Sequence, residues 1–228
     1  MGLSLEVGML ADLRENDFEG YERYRNQFEL LNEYLGEIGL PSHHEPENCE
    51  IWSCEMYGYS GLHYLRRIAA HIDLKGILPS VGSKENLDDM FLENYYIYAE
   101  NRNTNILAKL FQSKYKFRVN HLILHSDADG FYLPINFDKV LYTDPELEIA
   151  GNTVGSAMQL LRECERLASI LEIPPDINEQ SDELWEAADS QGESSIQWQK
   201  YGIESFTCVH LIKACRKSIE TGAAIVFT

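Results

Sequence analysis

Helical periodicity most restricts the folds open to this chain. Phe18, Tyr21, Tyr24, Phe28, Leu31, Tyr34 and Leu35 recur three, four and one residues apart, which lines one side of a helix predicted from about 17 to about 38. Asn16 and Asp17 offer its N-cap, Glu19 and Glu22 put carboxylates in the first turn, and Gly39 and Pro41 end it. Leu62, Leu65, Ile68, Ala69 and Ile72 predict a second helix, capped by Ser60 and stopped by Gly76 and Pro79. A third runs through Val154, Met158, Leu161, Cys164, Leu167, Ala168 and Leu171, capped by Asn152 or Thr153 and stopped by Pro174-Pro175. A final helix is expected from about Ser205 to Ile219, ended by Gly222. Leu87, Met90, Phe91, Tyr95 and Tyr98 also have helical spacing, and residues 102–113 read as another short helix.

Strands are expected at 3–9, 119–125, 131–137 and 223–227. Asp129-Gly130 between the middle pair is a hairpin signal, and Pro134 puts the second of them at an edge or a bulge. The fold class is therefore α+β: a mixed sheet with an antiparallel hairpin at about 119–137, flanked by four or five helices. At 228 residues the chain is read as a single globular domain, 1–228, with 174–198 as an acidic loop or mobile excursion within it.

The formal net charge is −18, and it is unevenly carried. Residues 1–60 hold thirteen acids against three Arg, and residues 172–199 hold eight acids with no Lys or Arg. Residues 61–126 are positive, with nine bases against six acids. A field this negative repels nucleic acid and anionic membrane and attracts basic surfaces. No apolar run approaches the ~20 residues that span a bilayer, the N-terminus lacks the pattern of a signal peptide, and five cysteines form an odd count. The expected location is the cytoplasm, with reduced thiols.

Motifs that would fix a reaction are missing. There is no nucleophile elbow, no P-loop and no Gly-x-Gly-x-x-Gly. His125, Asp127 and Asp129 form the sharpest cluster: one imidazole and two carboxylates able to ligate a divalent metal or work as an acid/base pair. The conformational reading weighs more, because Asp and Gly are what a tight turn requires. His63, Arg66, Arg67 and His71 form a basic stripe suited to an anionic group, unless it pairs with the chain's own carboxylates. His43, His44, Glu45, Glu47, Cys49 and Cys54 have metal-ligand chemistry, but their spacing matches no zinc module. Trp185, embedded among Asp182, Glu183 and Glu186, is a candidate docking element for a basic partner.

Three functions follow as expectations. The first is an acidic intracellular interaction module, of inhibitor or immunity type, binding a basic protein partner. Inhibitor, immunity-type and nucleic-acid-mimic proteins are similar to this chain in composition alone, and no residue motif ties it to any of them. The second is a metal-dependent hydrolase on an anionic substrate, using His125, Asp127 and Asp129. The third is a structural subunit of a homo-oligomer. The balance leans away from an enzyme. No cofactor is predicted, although a divalent metal would suit the histidine cluster, and neither nucleic acid nor membrane is an expected partner.

Overall fold

The structure, a computed structural model, describes residues 3–100, 120–126 and 129–228. Its frame is a mixed six-stranded sheet of β1 (Ser4–Val7), β2 (Trp52–Glu55), β3 (Phe131–Leu133), β4 (Leu141–Tyr142), β5 (Thr153–Ser156) and β6 (Ile225–Phe227). The spatial order is β2-β1-β6-β3-β5-β4, and every neighbouring pair is antiparallel except β3 with β5. Nine α-helices surround it among the described residues: α1 (Met9–Asn16), α2 (Phe18–Glu37), α3 (Gly58–Lys75), α4 (Met90–Glu100), α5 (His121–Leu124), α6 (Ala157–Leu171), α7 (Asp182–Asp189), α8 (Gln197–Lys200) and α9 (Gly202–Thr221). This is the α+β architecture expected. No helix among the described residues is long and apolar enough to cross a membrane.

Side chains alternate across the central strands, so both faces of the sheet are buried. Leu5, Tyr132, Ile225 and Phe227 face the layer built by α3, α6 and α9. Phe131, Leu133, Val154, Ala224 and Val226 face the layer built by α1 and α2. A third cluster docks α7 and α8 onto α9 through Leu184, Ala187, Ala188, Trp198 and Phe206. The expected hairpin at 119–137 does not form: residues 121–124 are helical, and β3 lies between β6 and β5. Leu122, Ile123 and Leu124 are an apolar run too short for periodicity to separate a buried helix from a strand. The tertiary anchors decide it. Glu163 accepts the backbone N–H groups of Asn120, His121 and Leu122 at 2.7, 3.0 and 2.8 Å, and Arg66 takes carbonyls at the other end. The helix expected at 102–113 lies outside the described residues.

The segment 174–198 is likewise more ordered than its composition suggests. Leu184, Ala187 and Ala188 are buried at helical spacing, and Asp182 and Glu183 sit in the first turn of α7, where the dipole favours them. Gly202 lets α7 come this close: a Cβ there would stand 1.8 Å from the Ala187 carbonyl oxygen. Gly202→Ala should therefore push α7 off α9 and cost about 1–3 kcal/mol. Limited proteolysis checks this, with faster cleavage between 174 and 198 expected than in the wild type.

Glu163 also makes stability depend on pH. Burial raises its carboxyl from the usual 4.5 to about 7, with Asp73 adding to the rise, against the pull of its three N–H partners. The fold thus favours the neutral acid, so this contribution is present below the usual carboxyl value and lost as pH rises through about 7. Glu6, raised by burial to about 6, acts in the same sense but is spent earlier. His121 and His125, lowered by burial from 6.5 to about 4 and about 3, act oppositely and contribute fully above about 6.5. Denaturant unfolding between pH 6.5 and about 8 should therefore show wild-type stability falling, and Glu163→Gln should flatten that slope.

Candidate functional site

The N-terminal acidic block folds mainly as α1 and α2. Asp17 caps α2, its carboxylate accepting the Gly20 N–H at 3.1 Å. Tyr21, Phe28, Leu31 and Leu35 are buried against the sheet. At 100° per residue, Glu19, Glu22, Glu29, Glu33 and Glu37 fall within an arc of about 80° on the opposite side of the helix. They form a row about 27 Å long. Glu22 and Glu29 each reach Arg25, at 3.3 and 3.7 Å, in exposed pairs that contribute little energy. Glu19, Glu33 and Glu37 are exposed, with no cation within ion-pair distance among the described residues. Segment 138–148 lies along the flank of α2, where the Tyr34 hydroxyl donates to the Tyr142 carbonyl and Gln27 accepts from Ala150 N. It adds the exposed acids Asp138, Asp144, Glu146 and Glu148.

The second acidic block sits on the far side of the sheet, on α7. Asp182, Glu183, Glu186 and Asp189 are exposed there. Asp189 accepts from the Tyr57 hydroxyl at 3.1 Å, and Glu183 from the Gln199 amide at 3.2 Å. Trp185 is 41% exposed and packs its ring edgewise on Phe206, with centroids 4.4 Å apart. The two blocks are therefore separate surfaces, not one patch.

The basic stripe of α3 is folded inward. Arg66, Arg67 and His71 are buried. Arg66 donates to the carbonyls of Leu122, His125 and Ser126. Arg67 donates to Asp89 at 2.7 Å and to the Ser80 carbonyl, and His71 Nε2 meets Asp89 at 2.9 Å. His63 bonds the Leu87 carbonyl. Asp89 also caps α4 by accepting the Phe91 N–H, and although burial pushes its carboxyl up, these His71, Arg67 and backbone contacts hold it below the usual value. These donors tie α3 to its neighbouring segments.

His125 is buried, stacked on Tyr132 at 3.9 Å, with its ring nitrogens 3.0 and 3.1 Å from the carbonyls of Ser126 and Phe131. Asp129 is exposed, both ring nitrogens of His125 are taken by backbone carbonyls, and Asp127 lies outside the described residues. His43 and Glu45 form a buried 2.6 Å pair whose carboxylate also accepts Ala224 N, while His44 is exposed. No group of three or more His, Cys, Asp or Glu among the described residues could hold a metal. All five cysteines are free of disulfides.

The family model described as "Putative DNA-mimic protein" matches residues 1–227. The chain belongs to this family. No curated protein and no solved structure matches it. Membership in a DNA-mimic family overturns the immunity-type module and the metal-dependent hydrolase expected from sequence. The physical ground for the error is plain. The hydrolase reading drew on His125 and the α3 arginines, whose polar atoms face the chain's own carbonyls and Asp89. The family also redirects attention to what the sequence reading left ungrouped. Glu29, Glu33 and Glu37 went unnamed there, although helical-wheel arithmetic on the acids would have shown the row.

Proposed function

We propose that the protein imitates the charge surface of DNA and occupies the nucleic-acid site of a DNA-binding protein. The carboxylate row of α2 carries this reading. Duplex DNA bears one negative charge per about 1.7 Å of axis, and each strand one per about 3.4 Å. Glu29, Glu33 and Glu37 repeat at about 6 Å, rather more than half the linear density of one strand, on a rigid rod with its apolar side already buried. A partner that tracks phosphates with Lys and Arg meets a comparable line of anions. The acids of 138–148 extend the field, and Asp182, Glu183, Glu186 and Trp185 offer a second docking face on α7.

Competition tests the proposal. Labelled oligonucleotides are loaded onto three purified proteins: a helix-turn-helix dimer and a minor-groove architectural protein, both on duplex, and an OB-fold protein on single strand. Fluorescence anisotropy follows displacement as the acidic protein is added. Release from at least one is expected, weakening as salt rises from about 50 to about 200 mM. Failure to displace any of them, or ternary complexes in which the oligonucleotide stays bound, would overturn the reading.

A further inference from the structure

We propose that the nucleic acid imitated by α2 is a single strand, and that Phe18 stands in it for an unpaired base. The inference rests on the DNA-mimic reading above and adds a partner class to it. Phe18 is 71% exposed, the highest value for a large hydrophobic side chain among the described residues. It opens α2, directly after the Asp17 cap, at one end of the carboxylate row. Its ring lies beside that of Tyr21, with centroids 6.1 Å apart and planes 26° from parallel. Tyr21 is itself buried, and its ring is faced by the Arg25 guanidinium at 5.9 Å. Phe18 therefore presents an aromatic surface to solvent with Glu15, Asp17, Glu19 and Glu22 close by in the sequence.

The geometry of α2 favours one strand over two. The carboxylates of α2 itself make a single row, bounded about 40° to either side by Arg23 and Arg25, and the acids of 138–148 lie beyond Arg23 on a separate, irregular segment. A duplex shows two phosphate rows and keeps its base faces stacked inside. Only a single strand sets one charged row beside a free ring. Proteins that bind single strands supply the complement: a basic groove plus aromatic or arginine platforms on which bases stack. An aromatic side chain, with only two χ angles to order, also loses little freedom on binding, as an anchor should.

The probe is an OB-fold single-strand-binding protein carrying a labelled oligothymidylate, compared with a helix-turn-helix dimer carrying its labelled duplex. Release of the single strand should need at least about tenfold less protein than release of the duplex. Phe18→Ala should raise the concentration needed for single-strand release about tenfold without changing its salt dependence, since no charge is lost. Phe18→Trp should release as well as the wild type, and Phe18→Leu should behave like Phe18→Ala, which separates stacking from mere apolarity. Equal or better release of the duplex, or an unchanged Phe18→Ala, would overturn this inference while leaving the DNA-mimic reading intact. Release of neither nucleic acid would overturn this inference, and failure on the minor-groove architectural protein as well would overturn both.

Discussion

Replacing Arg66 with methionine should destabilise the protein by about 3–5 kcal/mol. Methionine retains much of the aliphatic stem and removes only the donors. Arg66 is 4% exposed, and its Nε and Nη2 supply the carbonyls of Leu122, His125 and Ser126 at 2.7, 2.7 and 3.1 Å. These carbonyls lie at the C-terminal end of α5, where no further turn exists to satisfy them. Each one stranded in the interior costs about 1–3 kcal/mol. For a chain of this length the melting temperature should fall by roughly 10 °C. Lysine should recover only part of the loss, because an ammonium lacks the planar fork that reaches several acceptors at once. A melting temperature within about 2 °C of wild type would mean that water had replaced the guanidinium.

The second large effect concerns binding, and its two readouts should move in opposite directions. Glu29→Gln, Glu33→Gln and Glu37→Gln together should slow association with a displaced DNA-binding protein by about 10- to 100-fold at low salt. The same triple variant should be as stable as wild type or up to ~1 kcal/mol more stable, since like charges four residues apart repel and Glu37 opposes the dipole at the C-terminal end of α2. Stopped-flow association and thermal melting measure the two. Unchanged association in a folded triple variant would remove α2 as the contact face. The matched variant on α7, Asp182→Asn with Glu183→Gln and Glu186→Gln, then becomes the one to examine.

The helices were legible because burial on one side leaves a period in the sequence. α2 was expected from about 17 to about 38 and spans Phe18–Glu37, and Gly76 and Gly222 end α3 and α9 with left-handed φ of 71° and 79°. Strands β2, β4 and β5 were not foreseen, and of α1 only Met9 was given an assignment, as the end of the strand expected at 3–9. These elements are short, and their pairing partners lie far away in sequence. Trp52 pairs with Val7, and Leu141 with Val154. Composition misled at α7, where eight acids and many polar residues around it concealed Leu184, Ala187 and Ala188. Charge was legible as a total and as two blocks, but the arrangement that gives it meaning was not. An arc of five carboxylates becomes visible only when helical phase is applied to the polar residues as it was to the apolar ones.

That arc has a consequence for how such a protein can change over generations. On α2 the residues that hold the fold and the residues offered to a partner occupy opposite sides of one helix, so the two sets can vary almost independently. Substitutions along the row should redraw the pattern of anions while Tyr21, Phe28, Leu31 and Leu35 keep the helix seated. A lineage could thus follow a drifting partner, or acquire a new one, by exchanging Glu, Asp, Gln and Asn at a few outward positions, with no step that passes through an unfolded intermediate.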